Sequence, residues 1–564
     1  MQQSSQAPRW PIGTDEFRPL RREGCVYVDK TRLIESFELD GSPAVLCLRP
    51  RRFGKSLALS MLQAFYGDDH SEHEDLFQGT WVRSSHYWRL AGSRAAIYLS
   101  LKDISAHSLE DFESGLQASI GQLLRPHMPR LVPHLSPTDL EDLQAIIEKR
   151  GTQLQLTSSL LRLTSGLATA SGSPCYLFLD EYDAPLIRAQ ESGCFAEVAS
   201  FYQLWLGPVL KGGRSYVHKA FLTGILQISQ HGLSSGLNNL RVCGPLEDKY
   251  AAHFGFTQDE VEQLLSSVAR GPELSSFHEW YNGYTIGTEA LFNPWSILMA
   301  LDSGEAPMSY WTFTGATGLL LWAIRHADPS ELEALRVLIG GESIRRPLDR
   351  IRQPLEFESG KAPAAPLFTL MLNTGYLTGQ RSKEDPQTVV LRVPNLEVRL
   401  SFRSILAPLF SPMGGDALSS LWRALSEGDA GQVQRWLSRF LLTSASAFDL
   451  TASTLENSYH LMVLGLCAAL QDSYQIFSNG ESGWGRFDIL LQPRRPNQPG
   501  IVVEVKRAAA VADLASVAES ALQQIRDREY DARLRQAGVH RILHYGVAFC
   551  GRDVEVKVAK QKGP

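Results

Sequence analysis

Short apolar runs recur along the N-terminal part of the chain: AVLCL (44–48), AAIYLSL (95–101), YLFLD (176–180) and KAFLTG (219–224). Each has the length and apolar content of a buried strand. Between them the apolar positions take helical spacing, as over 54–66 and 154–170. Strands that alternate with helices predict a mostly parallel sheet covered on both faces.

The pattern changes near residue 305. WTFTGATGLLLWAIRHA and SELEALRVLI read as helices, PLFTLMLNTGYLTGQ and TVVLRV as a helix and a hairpin. It changes again near 430. Helices fill roughly 430–470, then come YQIFSN, RFDILLQ, the turn PRRPNQPG, IVVEVK, a helix over 512–528, and the strands RILHYGVAF and VEVKV. That last part is long enough to build its own core. The reading is a polar leader at 1–20 and α/β domains at 21–304 and 431–564, with a helical lid or linker of winged-helix-like pattern at 305–430 between them.

Composition narrows the classes. The 564 residues are 44% hydrophobic and 21% charged, and 45 Gly with 29 Pro is ordinary, which excludes collagen-like and wholly disordered chains. The net charge of −6 requires any nucleic-acid site to be a local basic patch on an acidic body. Seven cysteines, an odd number with no C-x-x-C, argue against a disulfide framework or zinc ribbon and for a reducing, cytoplasmic setting. The first thirty residues lack an apolar h-region and no apolar run reaches 18, so neither a signal peptide nor a membrane span is expected. His70 and His73 form an HxxH without partner ligands and are not read as a metal site.

Candidate chemistry begins after the first strand, at Arg49-Pro50-Arg51-Arg52-Phe53-Gly54-Lys55-Ser56. This fits the phosphate-loop pattern GxxxxGK[ST] except that Arg49 replaces the first glycine. Backbone N–H groups at a helix N-terminus attract an anion, Lys55 can reach the β- and γ-phosphates, and Ser56 can ligate Mg²⁺. The competing reading is a helix start with a surface lysine. YLFLDEYDAPL places Asp180 and Glu181 at a strand end, as expected of an Mg²⁺-holding aspartate and a water-orienting glutamate; a simple acidic cluster before a helix is the competing reading. Asp183 is read as the N-cap of that helix. Thr223 either bonds a γ-phosphate or attacking water, or satisfies turn backbone. Arg51 and Arg52 either face the nucleotide or are solvated or paired with acidic neighbours.

VYVDKTRLIESF, RPRRFGKSLALSML, AAIYLSLKDIS, LFLDEYDAPL, FLTGILQISQHGLSSGLNNL, WYNGY and FNPWS, in that order over roughly 15–300, resemble the predicted AAA-ATPase-like family. In that family RPRRFGK is the usual form of the loop. The resemblance implies a P-loop NTPase domain with ATP and Mg²⁺ as cofactors. Arg51, Arg52, Gly54, Lys55, Ser56, Asp180 and Thr223 would bind the nucleotide, Ser56 and Asp180 the metal, and Glu181 would be catalytic. Asn238, Asn239, Trp280 and Tyr281 receive no chemistry beyond a lid interface.

In the C-terminal part, Asp488 lies in one strand, and Glu504 and Lys506 lie two apart in the next, so these two share a face. Carboxylates suit a hard divalent ion, and the lysine can position water and offset phosphate charge, which fits metal-assisted phosphodiester hydrolysis. A salt bridge between Glu504 and Lys506 is the plain alternative. The D…ExK order resembles the PD-(D/E)xK nuclease superfamily, with a restriction-endonuclease-like α/β fold. That resemblance implies that Glu456 is a first-helix acid holding metal with Asp488 and Glu504, and that Gln524 is the polar residue of the helix after ExK. His460 is read as core-facing. Arg486, Arg494, Arg495 and Arg507 form either a phosphate-contacting patch or solvated turn charges.

Two functions follow. One is an ATP-binding, ATP-hydrolysing protein coupled to an Mg²⁺-dependent nuclease, with nucleic acid as partner, DNA ahead of RNA, and no membrane. The other is a nucleotide-switched signalling or partner-binding protein whose C-terminal domain does not cleave. The sequence assigns no oligomeric state.

Overall fold

The computed structural model describes residues 8–68, 72–212, 215–229, 240–268, 273–311, 317–352, 355–356, 367–410, 416–447, 462–466, 468–470, 473–482 and 485–562. The chain divides into two compact units, Met1–Ala323 with Arg345–Val398, and Ile324–Ile344 with Arg399–Pro564. The helix and hairpin expected after residue 360, Leu367–Thr374 with antiparallel Thr378–Arg381 and Thr388–Arg392, thus cluster with the N-terminal unit.

The stretch read as a polar leader is packed at its C-terminal end. Helix α1 (Phe17–Arg22) buries Phe17 and Leu20, and the Phe17 N–H donates to Ser60 Oγ at 2.9 Å. Two apolar residues one turn apart anchor a segment whose average polarity hides them.

The N-terminal unit is built on five parallel strands: β1 (Ala44–Leu48), β2 (Ala96–Ser100), β3 (Cys175–Asp180), β4 (Val217–Gly224) and β5 (Leu240–Cys243). Their spatial order is β2-β3-β4-β1-β5. β1 and β3 are buried at every position, as a sheet covered on both faces requires. Helix α2 (Lys55–Tyr66) follows β1. It starts at Gly54, whose φ of +82° suits a residue without Cβ, and it buries Leu59, Met61, Leu62, Phe65 and Tyr66. Helix α3 (Ala184–Ser192) follows β3.

Helix α4 (Pro294–Ser303) is set up by local chemistry. Pro294 occupies its first turn, and Asn293 Oδ1 accepts the N–H groups of Trp295 (2.9 Å) and Ser296 (3.3 Å). Ser296 Oγ then donates to Glu397 Oε2 at 2.7 Å, while Glu397 Oε1 accepts from the N–H groups of Tyr310 and Trp311 at 2.7 and 2.8 Å. Burial still pushes the Glu397 carboxyl up to about 7. Ile297 and Ala300 on α4 pack with Phe256, Phe277 and Tyr281, with Val26 and Val28 against them.

In the C-terminal unit, β6 (Tyr474–Ser482), β7 (Gly485–Pro493), β8 (Gly500–Arg507), β9 (Arg541–Cys550) and β10 (Asp553–Lys562) form one sheet in sequence order. All neighbours are antiparallel except β8 and β9, which are parallel. A parallel pair needs a crossover, and helix α5 (Leu514–Asp527) supplies it. Leu514, Ala518, Ala521, Leu522 and Ile525 form its buried stripe, packed on Val502 and Ile542 at one end and Ala548 at the other. Among the described residues, no helix is long and apolar enough to cross a membrane.

Candidate nucleotide and metal sites

The strand order determines which side chains meet in the N-terminal unit. β4 lies between β1 and β3, so the residues ending these three strands converge at the carboxyl edge of the sheet. Thr223, near the end of β4, donates from Oγ1 to Asp180 Oδ1 at 2.5 Å, and Tyr98 donates to Oδ2 at 3.4 Å. Asp180 and Thr223 are fully buried. The Thr223 hydroxyl therefore satisfies neither turn backbone nor solvent in this state, but orients the aspartate.

Lys55 is buried rather than a surface lysine. Its Nζ donates to the carbonyls of Arg49 (3.1 Å) and Pro50 (3.0 Å). Burial lowers its pKa, against the charges of Glu181 and Asp180. A cavity of about 520 Å³ is lined by Arg51, Arg52, Gly54, Lys55, Ser56 and Glu181 and also by Val26, Val28, Phe256, Trp295 and Leu298. Its lining combines cations and N–H groups at a helix start with apolar side chains, the two kinds of surface a nucleotide needs.

Glu181 stands at a φ of +48° and Arg52 at +65°, left-handed conformations that cost a non-glycine residue about 1–2 kcal/mol and concentrate at functional sites. Arg51 is half-buried beside Glu181 and Asp183. Burial lowers its pKa while these two acids oppose the shift. Arg52 is exposed, with its guanidinium 4.3 Å from the Trp295 ring centroid.

One expectation is corrected here. Asp183 sits at the N-cap position of α3, yet its side chain makes no cap hydrogen bond. Its Oδ2 instead accepts the N–H groups of Ile225 (2.8 Å) and Leu226 (2.7 Å), tying β4's exit to β3's. Those donors are long-range, so no local pattern announces them. Burial raises the Asp183 carboxyl to about 6 despite these bonds. Arg49, where the general loop has glycine, is fully buried and structural. Its guanidinium donates to the carbonyls of Leu48, Cys243, Gly244 and Lys249 at 2.8–3.2 Å.

The C-terminal unit gathers the second set. Ile489 pairs with Val503, so Asp488 is in register with Glu504 across β7 and β8. Asp488 Oδ2 accepts the Val505 N–H at 2.6 Å. Gln524 on α5 donates from Nε2 to Glu504 Oε1 at 2.5 Å and to the Tyr530 hydroxyl at 3.0 Å. Lys506 donates to Ser520 Oγ at 3.0 Å. Glu504 is buried, and its Oε2 has no hydrogen-bond partner among the described residues. Burial first, then the neighbouring Asp488, raises the Glu504 carboxyl to about 8, with Lys506 opposing. Burial also raises Asp488. A buried orphan oxygen beside a second carboxylate is a donor set that suits a hard divalent cation.

Asp488, Glu504, Lys506 and Gln524 therefore converge. Glu456 and His460 lie outside the described residues, as do Asn238, Asn239, His70 and the Arg486 side chain. His73 is buried and bonded to the Phe65 carbonyl. Trp280 and Tyr281 pack in and against the cluster under α4.

Several contributors had no role in the sequence reading. Gly546 on β9 faces Glu504 in the parallel register, and a Cβ there would collide with the Ala518 carbonyl of α5. A glycine inside the apolar strand RILHYGVAF is the signal for such a close approach. Tyr530 shares the Gln524 amide, and Tyr284 packs edge-on against Phe53 of the phosphate loop at 4.9 Å between centroids. Trp295 follows an Asn-Pro helix start, but nothing local shows that its ring meets Arg52.

Two family models match the chain. Residues 11–234 match the family model described as Predicted AAA-ATPase, and residues 454–559 match that of the PD-(D/E)XK nuclease superfamily. The chain thus carries an AAA-ATPase-like domain and a C-terminal PD-(D/E)XK nuclease superfamily domain. It is also similar to a protein of Azotobacter chroococcum mcd 1 named "Uncharacterized protein in vnfD 5'region", with 26% identity over 544 residues covering 94% of each chain.

Proposed function

We propose that the chain binds and hydrolyses ATP at the N-terminal cavity and cleaves phosphodiester bonds of nucleic acid, DNA ahead of RNA, at an Mg²⁺-dependent C-terminal site. The observation that carries the cleaving half is the buried Glu504 Oε2 beside Asp488, without a hydrogen-bond partner among the described residues, with Lys506 on the same face. Asp488 and Glu504 would hold the cation, with Glu456 as a further ligand. A divalent ion held there supplies charge neutralisation and a water of lowered pKa. Gln524 fixes the orientation of the Glu504 carboxylate. Lys506 orients the water and offsets the charge that grows on the phosphoryl oxygens as the water oxygen bonds to phosphorus and the bond to the leaving ester oxygen breaks. Arg494, Arg495 and Arg507 are exposed and available to phosphates along the strand.

In the N-terminal unit, Lys55 would exchange its loop carbonyls for the β- and γ-phosphates. Ser56 and Asp180 would hold Mg²⁺, and Glu181 would orient the attacking water. Arg51, beside Glu181, would meet the terminal phosphate.

The test mixes the full chain with DNA or RNA, Mg²⁺ or Mn²⁺, with and without ATP, and compares Asp488→Ala, Glu504→Ala and Lys506→Ala. Cleavage by wild type and its loss in all three variants is expected. Equal, intact substrate in every lane excludes the cleaving role. ATP turnover is measured beside Lys55→Ala; tight binding without turnover would make the N-terminal unit a switch instead.

A further inference from the structure

We propose that Trp295 holds Arg52 in a resting position, and that nucleotide binding draws the Arg52 guanidinium off the indole ring onto the polyphosphate. The inference rests on the nucleotide-site reading above and adds a positioning residue to it.

Three observations converge. Arg52 and Trp295 line the same cavity as Gly54, Lys55 and Ser56, so the guanidinium lies where a bound polyphosphate would reach it. The guanidinium is 4.3 Å from the ring centroid, well within cation–π range. The ring is itself anchored, its Nε1 donating to the Tyr310 carbonyl at 3.1 Å and its backbone N–H to Asn293 Oδ1. The movable partner is therefore the arginine. Its backbone sits at a φ of +65°, a conformation that non-glycine residues adopt only sparsely. Phe53, one residue on, is instead fixed by Tyr284 and by its carbonyl accepting the Gly255 N–H at 3.2 Å. The loop thus has a locked position beside an exposed, strained one.

A phosphate ester offers the guanidinium a charge-assisted, bidentate partner stronger than an aromatic face. The exchange favours nucleotide, but the lost stack subtracts from affinity by the strength of one cation–π contact, about two- to thirtyfold in a dissociation constant.

Two measurements test this on the full chain. In the first, ATP dissociation constants are compared for wild type, Trp295→Leu and Lys55→Ala. Trp295→Leu keeps an apolar wall but frees Arg52, and is expected to bind ATP about two- to thirtyfold more tightly. Unchanged or weaker binding overturns the proposal, and weaker binding would make Trp295 a stacking platform for the base. In the second, indole emission is followed on adding ATP. The expected change in wild type disappears in Trp295→Phe and in Arg52→Ala; a change that persists in either overturns the proposal. The second test also covers a Trp295→Leu variant that fails to fold. Should wild type bind no ATP, or Lys55→Ala bind it equally well, the nucleotide-site reading fails, a result distinct from failure of the Arg52 exchange alone.

Discussion

Substitution of Gly546 by alanine isolates how the C-terminal site is assembled. Gly546 pairs with Glu504 in the β8–β9 register, and α5 passes directly over it. A Cβ added there would lie 2.9 Å from Leu522 N and 3.0 Å from Leu522 Cγ, and closer still to the Ala518 carbonyl oxygen. Two of these three atoms are helix backbone, so no rotamer change relieves the overlap. The helix must retreat by about 1 Å to recover ordinary contact. Overpacking of this kind costs about 1–3 kcal/mol. The same retreat stretches the 2.5 Å bond from Gln524 to Glu504 toward 3.5 Å, where a hydrogen bond ends. Its loss adds about 1 kcal/mol, for a total near 3 kcal/mol.

For a unit of this size, 3 kcal/mol corresponds to a fall of roughly 6–12 °C in the unfolding midpoint. Gly551→Ala is the control. Gly551 has a φ of +60° in the β9–β10 turn but open space around a Cβ, so it carries backbone strain without collision, about 1–2 kcal/mol. Both variants are melted by differential scanning calorimetry, and their Mn²⁺ affinities are measured by titration calorimetry. Gly546→Ala should melt lower than Gly551→Ala and alone lose metal affinity. If the two melt together and bind Mn²⁺ equally, the close approach of α5 does not organise the site.

Three further outcomes are expected. Arg49→Gly restores the general phosphate-loop glycine but leaves four carbonyls without their donor, so it should destabilise the chain by about 3–5 kcal/mol; an unchanged melting midpoint would refute this. Glu504 is raised from 4.5 to about 8, so the folded chain keeps a proton that the unfolded chain has lost. Its stability contribution is full below about pH 4.5 and disappears as the pH rises through 8. In chelator, Glu504→Gln should therefore exceed wild type in stability at pH 8, by on the order of 4 kcal/mol, and match it at pH 4.5; a constant difference across that window would refute the assignment. Asp183→Asn leaves an amide nitrogen facing the Ile225 and Leu226 N–H groups unless the amide turns its oxygen to them, so ATP turnover is expected to fall about tenfold, read from steady-state kinetics, whereas unchanged turnover would detach this carboxylate from the site.

The parts of the fold legible in the sequence are those fixed by local pattern. β1, β3 and β4 are apolar runs of strand length, and the α2 start carries its own glycine and lysine. Asp488, Glu504 and Lys506 could be placed together because period-two alternation and one turn determine faces and neighbours. What escaped depends on contacts between residues distant in sequence. Asp183 looks like an N-cap until β4 arrives with two N–H groups. Arg49 looks like a damaged phosphate loop until the carbonyls at 243, 244 and 249 close around it.

The same distinction separates the two sites' chemistry. In the N-terminal unit the charged groups already have neutral partners. Lys55 is satisfied by loop carbonyls, Asp180 by Thr223 and Tyr98, and Arg52 by Trp295. A ligand there must replace contacts that already exist, so its affinity is a difference between two satisfied states, and each resting partner sets part of that difference. In the C-terminal unit Glu504 Oε2 has no hydrogen-bond partner among the described residues, and burial raises the carboxyl to about 8, which favours its protonated form near neutral pH. A cation entering beside Asp488 must expel that proton rather than break a protein contact. Occupancy of the first site should therefore follow the strength of its internal contacts, as the Trp295 variants probe, and occupancy of the second should follow pH.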